Sequence, residues 1–193
     1  MQELSLHILD LVRNSVAADA KNIEITISLK DDLLIITISD DGKGMDEETV
    51  KKVESPFSTS RTTRKVGLGI PLFKAAAEQC EGYFKIQSGV NVGTTVTGAF
   101  KIQSIDRQPM GDLADTIVAL VVSEKELDFI LRLENYDNTY VFDTKEIKEI
   151  LGDVSPAVPE VMNWIADNIK DGVSTVFGGV LNEVDTRIGS DKK

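Results

Sequence analysis

Residues 39–46 read SDDGKGMD, directly after the apolar, β-branched run LLIITIS (33–39). A β-strand that ends in two aspartates and a G-x-G pair is either an acidic turn or one side of a binding site. Gly42 and Gly44 allow backbone angles closed to other residues and let the chain approach a ligand closely. An aspartate at the mouth of such a turn can accept a hydrogen bond from an exocyclic amine. Taken alone, D-x-G-x-G also describes an ordinary Asp-Gly turn.

Working outward, NIEITISLK (22–30) alternates apolar and polar residues and predicts a strand. The pair DD (31–32) turns it into LLIITISD (33–40), which makes a hairpin. Residues 3–18 place Leu4, Ile8, Leu11 and Val12 at helical spacing. On a helical wheel His7, Asp10 and Asn14 fall together in a stripe about 60° wide, on a helix otherwise apolar over most of its circumference. A carboxylate and an amide there are costly unless something pairs with them. That partner can be a structural cap or the contents of a pocket, and the stripe alone leaves both open. Asp10 can accept a proton from a water or orient one. Asn14 offers a neutral carbonyl oxygen suited to Mg²⁺. His7, the only histidine, reads first as packing.

Two more glycine turns follow. KVGLGIPLF (65–73) is a loop entering a helix, and backbone N–H groups at a helix start attract anions. Gly67 and Gly69 permit close approach, with Lys65, Arg64 and Arg61 on the way in. The spacing is neither that of a P-loop nor of a Rossmann fingerprint. GTTVTGAF (93–100) opens a strand on which Thr94 and Thr95 face opposite ways, so only one can face a pocket.

These motifs, in this order, resemble the GHKL ATP-binding fold shared by gyrase B, Hsp90, MutL and histidine kinases. LDLVRNSVAADAKNIEI (9–25) resembles the N box of MutL-type members, and SDDGKGM the box that follows. SPFSTSRTTRKVGLGIPLFKAAAEQCEG (55–82) is similar to a histidine-kinase lid and its second glycine box. The resemblance covers about residues 4–103. It implies an α+β fold of Bergerat type, a two-layer α/β sandwich with a mixed sheet and helices on one face. It also implies roles by position. Asn14 would hold Mg²⁺ and phosphate oxygens of ATP or ADP, and Asp40 would accept from the adenine amino group. Gly42 and Gly44 would shape the base pocket. Gly67, Leu68 and Gly69, with Lys65 on the approach, would meet the phosphates, and Thr94 would sit near the base. Residues 55–66 would form a lid. Asp10 stands where the ATPase branches carry Glu. The shorter side chain puts its reach to a water at the γ-phosphate in question and predicts slow hydrolysis.

The sequence divides into a GHKL domain (1–106) and a small acidic α+β region (107–193), joined by RQPMGD (107–112). In the second region TIVALVVS, DFILRLEN and TYVFDT read as three strands, and KEIKEIL and VPEVMNWIADNIKDGV as two helices. It reads either as an extension of the sheet or as a partner-binding module. RQPMGDLADT (107–116) and FDTKEIKEILGDV (142–154) resemble short ATP-binding proteins encoded near iron-only hydrogenase and NADH-type electron-transfer subunits. Such subunits are therefore one class of expected protein partner, a regulator is another, and a homodimer is left open.

Composition narrows the field. The net charge of −11 without a basic run argues against nucleic acid as a partner and against an anionic membrane surface. The N-terminus has no signal-peptide pattern and no segment is long and apolar enough to span a bilayer, so a cytoplasmic setting is expected. The single cysteine, Cys80, sits in an apolar helical pattern and reads as packing. The expected function is an ATP-binding regulatory protein with at most slow Mg²⁺-dependent hydrolysis. The alternatives are a Ser/Thr protein kinase of the anti-sigma-factor kind and a non-enzymatic interaction module that nucleotide stabilises.

Overall fold

The computed structural model describes residues 3–54 and 68–181. Two hairpins form first in the chain. β1 (Asn22–Lys30) pairs antiparallel with β2 (Leu33–Asp40), and β3 (Tyr83–Gly89) pairs antiparallel with β4 (Gly93–Lys101). β4 lies against β2, and β5 (Asp128–Glu134) joins the far side of β1 in parallel, followed by its antiparallel neighbour β6 (Thr139–Asp143). The result is one mixed six-stranded sheet in the order β3-β4-β2-β1-β5-β6. The two halves of the chain thus share a sheet, and a single buried cluster runs from Leu4 to Leu181.

Alternation assigns the faces. Ile23, Ile25 and Ile27 of β1, Leu34, Ile36 and Ile38 of β2, and Phe129, Leu131 and Leu133 of β5 are all nearly inaccessible to solvent. Register places them in rows across one face, Ile25 opposite both Ile38 and Leu131. Each such side chain contributes roughly 1.5–3 kcal/mol on burial. The helices α1 (Leu4–Ala17), α3 (Gly69–Gln79), α4 (Leu113–Ser123) and α6 (Pro159–Phe177) pack on this side, with the short α2 (Glu47–Val53) against β3 and α5 (Thr144–Leu151) against β5. The opposite face is polar: Thr37 bonds Thr97 (3.1 Å), Ser39 bonds Thr95 (2.9 Å), and Arg132 Nε pairs with Glu24 Oε1 (3.1 Å).

One sequence expectation is overturned. TIVALVVS is not a strand but the body of α4. Most of this helix is buried, so it is apolar on several sides and carries no strong period to separate helix from strand. The local signal lies just upstream, where the Asp112 side chain accepts from the Asp115 N–H (2.8 Å) and caps the helix.

RQPMGD is also more than a tether. α1 begins without a side-chain cap, and its first N–H groups are taken by the linker: Leu4 N donates to Pro109 O (2.9 Å) and Ser5 N to Met110 O (2.8 Å). Cys80 is buried at the end of α3, and burial pushes its thiol pKa up, as the packing reading expects.

Candidate functional site

Helix α1 carries both ends of the candidate site. Asp10 and Asn14, one turn apart, are half-buried on its polar stripe. Gly69, the first residue of α3, is pressed onto that stripe. A Cβ built on Gly69 would lie 3.2 Å from Asp10 Cβ and 3.5 Å from Asn14 Nδ2. The α3 N-terminus has no side-chain cap, Leu68 before it is exposed, and Pro71 in the first turn has no N–H to offer. An uncapped helix start beside an amide and a carboxylate suits an anion that brings its own cation.

The second end is built around Asp40, the last residue of β2, whose side chain lies on the helix side of the sheet. Ser15 Oγ donates to Asp40 Oδ2 (2.6 Å) and the Gly42 N–H donates to Oδ1 (2.9 Å). Both oxygens are therefore anchored, and each keeps a lone pair for a further donor. Thr94 is the register partner of Asp40, and Ser88 Oγ ties it down: it lies 2.8 Å from Thr94 Oγ1, bonds Gly93 O (3.0 Å) and accepts from Met45 N (2.8 Å). Gly44 has φ +62°, and any Cβ there would run into the Gly89 carbonyl. The SDDGKGMD turn is thus clamped between α1 and the β3–β4 turn.

So Asp10, Asn14 and Gly69 come together at one end, and Asp40, Gly42, Gly44 and Thr94 at the other. The ends are joined because Asn14 and Ser15 are neighbours on α1. Lys65, Gly67 and the expected lid at 55–66 lie outside the described residues. Sequence reasoning passed over Ser15 and Ser88. The available signal for Ser15 was a small hydroxyl next to Asn14 in an apolar helix, buried here at 3 % exposure.

His7, one turn before Asp10, is buried against the Phe73 ring, with Nε2 3.0 Å from Gln108 Oε1. Burial holds its pKa below the usual histidine value, and the Gln108 hydrogen bond partly opposes this. Nδ1 has no partner within the described structure. Asp41, beside Asp40, is drawn down to about 2, first by the Asn22 side-chain hydrogen bond and then by the Asn22 and Lys21 backbone N–H groups.

No group of three or more His, Cys, Asp or Glu side chains among the described residues could hold a metal. A Mg²⁺ ion at Asn14 would need ligand oxygens from a bound phosphate, which is how Mg²⁺ commonly sits with nucleotides. The donor set fits that arrangement and no metal cage built from protein alone.

The fold is a two-layer α+β architecture, a mixed six-stranded sheet with helices on one face. Residues 2–104 match the family model described as histidine kinase-, DNA gyrase B- and HSP90-like ATPase, and the chain belongs to that family. The sensor histidine kinase YvrG of Bacillus subtilis is 31 % identical over 100 residues, covering 49 % of this chain and 17 % of that protein. The heme sensor protein HssS of Staphylococcus saprophyticus is 35 % identical over 80 residues, 41 % of this chain and 17 % of that one. The chain thus matches about a sixth of the length of these relatives. Among solved structures, the N-terminal domain of a DNA repair protein superposes with a TM-score of 0.53 at 16 % identity, covering 79 % of this chain and 58 % of that chain, a likeness of fold. No helix among the described residues is long and apolar enough to cross a membrane.

Proposed function

We propose that the chain is a cytoplasmic ATP-binding regulatory protein whose site takes ATP or ADP with Mg²⁺. The observation that carries this is the pairing of Gly69 against Asp10 and Asn14 at one end with the doubly anchored Asp40 carboxylate at the other. In this reading Asp40 accepts from the adenine amino group, and Gly42, Gly44 and Thr94 bound the base. The phosphates meet the α3 start at Leu68 and Gly69, together with Lys65 and Gly67, which precede the described part of this segment. The Asn14 carbonyl oxygen would help hold the Mg²⁺ ion that accompanies the phosphates, and the ion would neutralise phosphate charge. Asp10 is the general base for a water at the γ-phosphate. Its short side chain makes hydrolysis slow.

Calorimetric titration with ADP and with ATP, each with Mg²⁺, tests the reading. Saturable binding that Asp40→Asn weakens supports it. No binding at millimolar nucleotide ends it.

A second reading is a protein kinase of the anti-sigma-factor kind; of the two relatives above, YvrG is a histidine kinase by name. Here the γ-phosphoryl passes to a Ser or Thr hydroxyl of a protein partner. Transfer of label from γ-labelled ATP to a partner separates the two. The partner is a protein in either case. The resemblance of segments 107–116 and 142–154 points to subunits of hydrogenase or related electron-transfer complexes. Capture of such subunits only in the presence of ATP would support that choice.

A further inference from the structure

The SDDGKGMD turn is also held from the opposite face of the sheet, by Lys21 and Asn22, with Asn22 held in turn by a residue beyond the family match. Backbone pairing is weak there: Asp41 N reaches Asn22 O only at 3.4 Å. Side chains close the gap. Asp41 Oδ2 accepts from Asn22 Nδ2 (2.7 Å), and Oδ1 accepts from the N–H groups of Lys21 (2.7 Å) and Asn22 (2.9 Å). The other half of the Asn22 amide, Oδ1, accepts from Lys145 Nζ (3.1 Å) in the first turn of α5. Lys145 in turn lies 3.6 Å from Asp128 Oδ2, and Asp128 is the parallel-register partner of Asn22 on β5. Cation on the oxygen and carboxylate on the amide nitrogen fix the orientation of Asn22 with no ambiguity. A cavity of about 250 Å³ beside this chain of contacts is lined by Asn22, Asp41 and Lys145. The family match ends at residue 104, whereas Asp128 and Lys145 lie after it.

We propose that Asn22 and Lys145 are positioning residues for the base-binding turn. They fix Asp41 and, through the shared backbone, the Asp40 carboxylate, so that β5 and α5 take part in nucleotide binding. The proposal rests on the nucleotide reading above. Lys145 acts through Asn22, not by touching the ligand. Its ion pair is exposed, so its effect is the smaller one and fades with salt.

The experiment compares wild type, Asn22→Ala, Asn22→Ser, Lys145→Met, Lys145→Arg and the Asn22→Ala/Lys145→Met double variant. Two readouts are taken: Mg²⁺–ADP affinity, and amide exchange at Gly42 and Lys43 without ligand. Expected are roughly tenfold weaker ADP binding for Asn22→Ala, about threefold for Lys145→Met at low salt, and near wild-type binding for Lys145→Arg. The double variant should match Asn22→Ala alone, because Lys145 has nothing left to act through. Exchange at Gly42 and Lys43 should quicken several-fold in Asn22→Ala and Lys145→Met. Additive losses in the double variant, or unchanged exchange in both single variants, overturn the proposal. If wild type binds no ADP while exchange quickens as stated, the nucleotide reading fails and the positioning of the turn stands. Lys145→Met alters only an exposed side chain and keeps the test decisive should Asn22→Ala fail to fold.

Discussion

Ser15 Oγ lies 2.6 Å from Asp40 Oδ2, so a buried helix residue sets the direction of the carboxylate that faces the candidate base pocket. This contact joins the first motif of the chain to the second. Ser15→Ala removes the donor while leaving the helix intact, since alanine favours helix. The expected result is about tenfold weaker ADP binding, corresponding to about 1.5 kcal/mol for a hydrogen bond to a charged group. Calorimetry checks it, with the far-ultraviolet spectrum unchanged.

A methyl group on Gly69 would lie 3.2 Å from Asp10 Cβ, close enough that the two must part by a few tenths of an ångström, and at ordinary contact distance from Asn14. Gly69→Ala should push α3 away from α1 at this point, while alanine improves the helix itself. ADP affinity is expected to fall by at least tenfold with melting temperature shifted by only a few degrees. Equal affinity in wild type and variant would mean that the α3 start does not meet the ligand.

Asp10 and Asn14 both lie against Gly69, and the proposed function gives them different tasks. In the proposed reading Asp10→Asn keeps size and removes the base, so any ATP turnover should disappear while ADP binding stays within about threefold. Steady-state phosphate release, measured beside calorimetry, separates the two. Turnover that survives in Asp10→Asn would place the base elsewhere.

His7 makes stability depend on pH in a defined sense. Its pKa is lowered in the fold, chiefly by burial, from the ordinary histidine value of about 6.5. Between the two values the unfolded chain binds more protons, so stability rises with pH there. The loss therefore begins as pH falls through about 6.5 and is complete below the folded value. His7→Phe, which can still pack on Phe73, should flatten the melting-temperature profile between pH 7.5 and 5. A variant profile as steep as that of wild type would assign the slope to other groups.

The half of the fold that carries the motifs was legible because each element announced itself locally. Alternation in 22–30 and 33–40 matched a sheet with one buried face. α4 was misread because an apolar run buried on most sides loses its period, and its cap at Asp112 lies outside the run. The candidate site was legible as motifs but not as geometry. Nothing local shows that Ser15 reaches a carboxylate 25 residues on, or that Ser88 bridges Thr94 and Met45. Nor does any local pattern predict that β5 pairs with β1, a contact made across about a hundred residues of chain.

That parallel pairing bears on solubility and on the order of folding. If the chain were cut after residue 106, β1 would become an outer strand carrying an unpaired row of backbone groups and a half-covered line of isoleucines. Such a strand is a template for joining another copy edge to edge. The α1 start would also lose the Pro109 and Met110 carbonyls. The fragment is expected to self-associate in light scattering at concentrations where the full chain does not. During synthesis the same edge waits for β5 to emerge, so the late segment protects the early one from its own kind.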